Sequence, residues 1–217
     1  MIALDFVVEQ GGFVLEVSQK LTARITALFG PSGAGKTTTL EAIAGLRTPS
    51  RGSIAIDDHV LFSSAARIDV PVHKRHVGYV AQDVSLFPHL SVRRNVLYGR
   101  REGQRMSLPT VAAMLEIEPL LDRGVSQLSG GERQRVALAR ALMSSAAVLL
   151  LDKPLAAVDL ELRRRILPYL ERVRDELRVP IVYVTHAREE VHALADFVVM
   201  LERGRVVQSG EPAEVLR

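Results

Sequence analysis

The sequence predicts an α/β protein with a mainly parallel sheet, and three observations carry that expectation. Short apolar runs that read as buried strands alternate with helical patterns over most of the chain, as in folds whose helices cover a parallel sheet. The run Gly30 to Thr37 (GPSGAGKT) lies between one such strand and one such helix, and fits the phosphate-binding pattern G-x-x-x-x-G-K-[ST]. Four polar or loop positions, Gly30, Gln82, Asp152 and His186, each follow an apolar strand. Ligands of parallel sheets gather at those strand ends.

Each element has its own warrant. Residues 2–8 and 13–19 read as two strands around the turn Gln10, Gly11, Gly12, and residues 25–29 as a buried strand. Residues 37–46 carry Leu40, Ile43, Ala44 and Leu46 at helical spacing, with Gly45 ending the helix and Pro49 beyond it. Residues 53–56 and 60–62 flank Asp57, Asp58 and His59 as a hairpin. Residues 63–76 read as a polar loop, and residues 77–81 as another strand ending at Gln82. From 83 to 127 helical patterns dominate, broken by Pro88, Gly99, Gly103, Pro109 and Pro119, which predicts an inserted helical subdomain. Residues 131–143 read as a helix and 146–151 as a fully buried strand ending in Asp152. Leu162, Ile166, Leu170, Val173 and Leu177 mark one helix face. Pro168 inside it removes a backbone bond and predicts a kink. Residues 180–185 form the next strand, 188–195 a helix, and 197–201 with 205–208 a closing hairpin around Glu202, Arg203 and Gly204.

The glycine loop has a specific chemistry. Backbone N–H groups of Gly30, Pro31's successors Ser32, Gly33, Ala34 and Gly35, and of Lys36, Thr37 and Thr38 can close on phosphate oxygens where the helix dipole favours negative charge. Lys36 reaches the β- and γ-phosphates, and the Thr37 hydroxyl ligates Mg²⁺. The plain alternative is a glycine turn capping a helix, with Lys36 a solvated charge. Asp152 at the end of a buried strand is the usual holder of Mg²⁺ in a phosphate-loop protein; its alternative is a helix cap. Gln82 and His186 alone say little. Ser129, Gly130 and Gly131 open a helix and form a second phosphate site: a hydroxyl, exposed amides and a helix dipole. A second phosphate site is explained economically by a head-to-tail homodimer in which each chain closes on the other's nucleotide.

Composition narrows the class. The 217 residues suffice for one α/β domain, 1–217, with a small insertion. Cysteine is absent, so there is no disulfide and no thiolate metal site. No apolar run approaches the roughly 20 residues of a membrane span, and the N-terminus lacks the basic head and apolar core of a signal peptide. A membrane role then goes through a partner. The formal charge of +3, with scattered Arg and no aromatic-rich basic face, argues against nucleic acid.

These motifs, in this order, resemble the nucleotide-binding subunits of ABC transporters, and the resemblance runs nearly end to end. It covers the phosphate loop, Gln82, the signature Leu128 to Gln134 (LSGGERQ), the strand to Asp152, Asp159 within Leu155 to Asp159 (LAAVD), and His186. The resemblance implies a P-loop NTPase of ABC type: a RecA-like and β core over 1–82 and 128–217, N-terminal antiparallel strands, and a helical subdomain over 83–127. It implies a homodimer holding two ATP–Mg²⁺, with Gln82 on Mg²⁺ and the attacking water. Ser129 and Gly131 would contact the γ-phosphate in trans, and His186 in cis. It also implies integral membrane permease subunits, a periplasmic or extracellular substrate-binding protein acting indirectly, and a place on the cytoplasmic face of the membrane. Several segments look most like the ATPase of the molybdate importer: Lys74 to Asp83 (KRHVGYVAQD), Leu86 to His89 (LFPH), Ile117 to Arg123 (IEPLLDR) and Ile166 to Leu170 (ILPYL). Sulfate, phosphate and sugar importers are the alternatives. That ATPase often carries a C-terminal oxyanion-binding domain, so an end at Arg217 predicts a short form or a truncated chain. Chromosome-type heads need a long coiled coil that the stretch from Gln82 to Ser129 leaves no room for.

Two positions depart from the family. The family stacks adenine on an aromatic from the N-terminal strands; the resemblance implies Phe13 for that place, at a spacing that departs from the family's, with Phe6 as the alternative. Lys153 stands where the family usually has the Glu that polarises the attacking water. It predicts slowed hydrolysis, a nucleotide-gated subunit that does not hydrolyse, or an altered position in a competent ATPase.

Overall fold

The computed structural model describes residues 1–100, 106–144, 146–154, 168, 170–171 and 179–217. The strands among them are β1 Ile2–Gln10, β2 Phe13–Leu21, β3 Ile25–Phe29, β4 Arg51–Ile56, β5 His59–Ser63, β6 Ile68–Asp69, β7 Val77–Val80, β8 Val148–Asp152, β9 Ile181–Val184, β10 Phe197–Glu202 and β11 Arg205–Gly210. The helices are α1 Lys36–Ala44, α2 Val92–Leu97, α3 Leu108–Met114, α4 Gly130–Leu142, α5 Arg188–Leu194 and α6 Pro212–Val215. The strands join in the order β6-β5-β4-β1-β2-β11-β10-β3-β9-β8-β7.

The five strands from β10 to β7 run parallel. They read as continuous apolar runs because both faces are covered. Alternation along each strand assigns side chains to two separate cores. Ala27, Leu149, Leu151, Ile181 and Tyr183 pack into one with α3 and α4. Leu28, Val148, Leu150, Val182 and Val184 pack into the other with α1 and the N-terminal strands. All five residues of β8 are buried, and at about 1.5–3 kcal/mol per buried aliphatic side chain this strand is fixed in place. Its last residue, Asp152, is fixed with it. β11 pairs antiparallel with β10 and parallel with β2, and the other strands are antiparallel, β1 with β2 and β4, then β4, β5 and β6.

One buried cation ties α1 to this frame. Arg75, 2% exposed, donates from Nη1 to the carbonyls of Ala42 (2.9 Å) and Ile43 (3.0 Å) at the end of α1. Its Nε donates to the Val70 carbonyl (2.7 Å), and Nη2 to Asp69 (2.7 Å).

The structure corrects some expectations. Residues 63–76 are not all loop: β6 pairs with β5, and a 3-10 turn covers Val72–Lys74. The polar composition hid both because this edge hairpin is largely solvent-facing. Helix α6 was not anticipated, being a single turn. In 83–127 the regular elements among the described residues are α2, α3 and two 3-10 turns. The helix expected around Leu162, Ile166, Val173 and Leu177 lies outside the described residues, as does Asp159. Leu170 is buried, and Pro168 is exposed in helical backbone.

Candidate functional site

The C-terminal ends of the parallel strands converge on the glycine loop. Gly30 leaves β3 with φ 142, and a Cβ there would lie 2.1 Å from the Leu201 carbonyl oxygen of β10, so the loop needs glycine to pass the neighbouring strand. Gly35 caps α1 in the left-handed region at φ 101, and its missing Cβ leaves room for Leu15. No side chain caps α1, so the first-turn amides, which have no intrahelical acceptor, face the loop's concavity.

A cleft of about 240 Å³ opens over these amides. Phe13, Ser32, Gly33, Gly35, Lys36, Thr37, Thr38 and Lys153 line it. Lys36 is 6% exposed, and its ammonium donates to the carbonyls of Gly30 (2.8 Å) and Pro31 (2.7 Å). Burial pulls its pKa below the usual lysine value, the charge of Lys153 adds to that, and Asp152 opposes it. An anion in the cleft would relieve the repulsion between the two ammonium groups.

Asp152 sits under the loop at 2% exposure. Its Oδ2 accepts a 2.7 Å bond from the Thr37 hydroxyl. Its Oδ1 is buried without a hydrogen-bond partner. Burial raises the carboxyl pKa, against the Thr37 bond and the charge of Lys153. Burial, with the Asp152 charge second, also pushes the Tyr79 phenol up to about 12. An orphaned carboxylate oxygen beside a threonine hydroxyl is a hard-oxygen donor set that fits Mg²⁺. No cluster of three or more His, Cys, Asp or Glu exists among the described residues.

The other expected residues are placed around this centre. Lys153 follows Asp152 with φ 48, and its amide donates to the Val184 carbonyl at 3.1 Å. Gln82 and His186 are exposed beyond β7 and β9 and do not line the cleft. Phe13 does line it, whereas Phe6 is 2% exposed within the core with Ile2, Leu4 and Val8. Phe6 is therefore excluded as an aromatic platform. Ala34 is buried, and Gly204 N–H donates to its carbonyl at 3.2 Å, so the β10–β11 turn braces the loop from behind. Sequence reading missed that brace because it is made by backbone atoms.

Ser129, Gly130 and Gly131 stand at the start of α4, away from the lining of the cleft. Ser129 Oγ accepts from Glu132 N (3.3 Å), and Glu132 Oε2 accepts from Ser129 N (2.7 Å), a reciprocal capping box. The Ser129 backbone bond holds the Glu132 carboxyl below its usual range. Ser129 and Gly130 are exposed.

A family profile described as ABC transporter matches residues 17–156. The Molybdenum import ATP-binding protein ModC of Pectobacterium atrosepticum is 47% identical over 216 residues, covering 99% of this chain and 61% of that protein. ModC of Brucella melitensis biotype 1 is 51% identical over 208 residues, 94% of this chain and 58% of that protein. The chain thus spans about six-tenths of the length of these curated relatives. Among solved structures, a dimeric ATP-binding cassette in a post-hydrolysis state bound to ADP and Pi superposes with a TM-score of 0.82 at 26% identity, over 98% of this chain and 99% of that one. A bacterial Atm1-family ABC exporter with ATP bound gives 0.80 at 27% identity, over 100% of this chain and 39% of that one.

Proposed function

The chain belongs to the ABC transporter family, and from that premise we propose that it is the ATP-binding subunit of a molybdate importer. The observation that carries the reading is the cleft over the glycine loop, with the Thr37–Asp152 pair beneath it, in a chain about half identical to proteins named as molybdenum import ATP-binding proteins.

The triphosphate lies along the amides of Gly30 to Thr38, and Lys36 exchanges its two loop carbonyls for the β- and γ-phosphate oxygens. Phe13 covers the adenine. Thr37 and Asp152 would hold Mg²⁺, and Gln82 would meet the ion and the attacking water. When bound, the ion neutralises charge on the phosphates. Two copies pair head to tail. Ser129, Gly130 and Gly131 of one copy face the γ-phosphate held by the other. His186 contacts that phosphate in cis. The core comprises 1–82 and 128–217. The helical segment 83–127 engages integral membrane permease subunits at the cytoplasmic face of the membrane, and a substrate-binding protein delivers the oxyanion on the far side. No helix among the described residues is long and apolar enough to cross a membrane.

A second reading is favoured by one observation. Lys153 lines the cleft where the water-polarising carboxylate of this family would stand. A lysine ammonium donates but cannot accept, so hydrolysis is slowed and the ATP-bound state is prolonged. Reconstitution with permease and binding protein in proteoliposomes tests the function. ATP-dependent uptake of labelled molybdate, lost with Lys36→Ala, is expected. Uptake of sulfate, phosphate or sugar in its place overturns the substrate, and ATP-independent uptake overturns the coupling.

A further inference from the structure

The loop that carries His186 is built around a buried hydroxyl. β9 ends at Val184, Thr185 is 3% exposed, His186 is exposed, and Ala187 is the N-cap of α5. Alanine has no side-chain acceptor to cap a helix, and none is supplied from position 187. The N-cap's own amide is bonded from before the helix: Thr185 Oγ1 accepts from the Ala187 amide at 3.1 Å. The same hydroxyl donates to Glu190 Oε2 at 2.5 Å, and Glu190 is 7% exposed.

Glu190 occupies the third position of α5. In an ordinary capping box a carboxylate there bonds the N-cap amide directly. Here the bond is relayed through the Thr185 hydroxyl, and the relay encloses residue 186. Both sides of the loop are also tied to the frame. The Thr185 amide donates to the Leu28 carbonyl of β3 at 3.3 Å, next to the start of the glycine loop. The Tyr183 hydroxyl donates to the Glu190 carbonyl at 3.3 Å. His186 therefore projects from a backbone fixed on one side to the strand that bears the phosphate loop and on the other to the first turn of α5.

We infer that Thr185 and Glu190 are positioning residues for His186, and that the relayed cap sets where its imidazole meets the γ-phosphate. The inference rests on the reading of His186 as a phosphate contact. Thr185→Val keeps the shape and removes the hydroxyl, taking the acceptor from the Ala187 amide and one donor from the Glu190 carboxylate. Thr185→Ser keeps the hydroxyl.

The test is a double-mutant cycle on the full chain, read by single-turnover hydrolysis and by ATP affinity from calorimetry. Thr185→Val is expected to slow hydrolysis about 10-fold or more, as misplacement of a reacting contact does, with ATP affinity essentially unchanged. Thr185→Ser should restore the rate. In a His186→Ala background, Thr185→Val should add almost nothing. Multiplying effects in the double variant, equal losses of affinity and rate, or a serine that fails to restore the rate would each overturn the positioning role. If His186→Ala is itself silent, the reading of His186 falls. The relay is then judged by hydrogen exchange of the Ala187 amide, which must quicken in Thr185→Val and whose invariance would refute the relay too.

Discussion

Lys153→Glu is the substitution whose outcome the cleft constrains most. The Lys153 backbone is held by its own amide on Val184 and by a left-handed φ of 48. Neither depends on the side chain, so the exchange alters the chemistry of the cleft more than its shape. It restores a carboxylate that can polarise water, and general-base assistance is typically worth about 10²–10⁴-fold, or roughly 3–5 kcal/mol of barrier. It also removes a cation that depresses the Lys36 pKa and places a carboxylate beside Asp152, already raised by burial. Exchanging a cation for an anion near the phosphates changes the charge by two units and costs on the order of 2–4 kcal/mol in a partly solvated cleft, a loss that falls on ATP affinity and not on the hydrolysis rate of ATP already bound. Rapid-quench single-turnover hydrolysis at saturating ATP should therefore rise by roughly 10²-fold or more, while ATP affinity falls. If the native chain already turns over at about 1 s⁻¹ or faster and Lys153→Glu adds nothing, the missing-base argument is wrong. Gln82 or His186 with a water would then carry the step.

Two further outcomes follow from the geometry. Arg75→Met strips the donor from three carbonyls, two of them ending α1. With a half-exposed Asp69 left to water, we expect a loss of about 3–5 kcal/mol and a calorimetric Tm lower by roughly 6–20 °C; a fall below about 2 °C would show that water replaces these bonds freely. Ser129→Arg crowds the exposed start of α4 without touching the cleft, so sedimentation should show ATP-induced dimers in the native chain and monomers in the variant. Dimerisation indifferent to ATP or to this change would remove the trans-contact argument.

Much of this site was legible in the sequence because its parts are local. A glycine loop, a lysine and a threonine in consecutive positions need only the strand before and the helix after to become an anion cradle, and β3 and α1 supply both. Asp152 was legible because an entirely apolar strand must stop somewhere, and the first polar residue marks the end. Phe6 alternates with Ile2, Leu4 and Val8, a pattern that by itself assigns it to the core. The relay through Thr185 was not legible, since Thr185 looks like the last residue of a strand and Glu190 like a surface charge on a short helix. Only the turn between them buries both. The contact of Gly30 with Leu201 is a backbone approach between strands far apart in the chain, and no side chain announces it.

The measurement closest to the central claim is calorimetric titration of the chain with MgATP, set against Lys36→Ala. The cleft predicts saturable binding by the native chain. Removing the ammonium that faces the β- and γ-phosphates should weaken it at least about 30-fold, the loss expected for a buried charged contact. Near-native affinity in Lys36→Ala, or no binding by the native chain, would contradict the assignment of this loop as the nucleotide site.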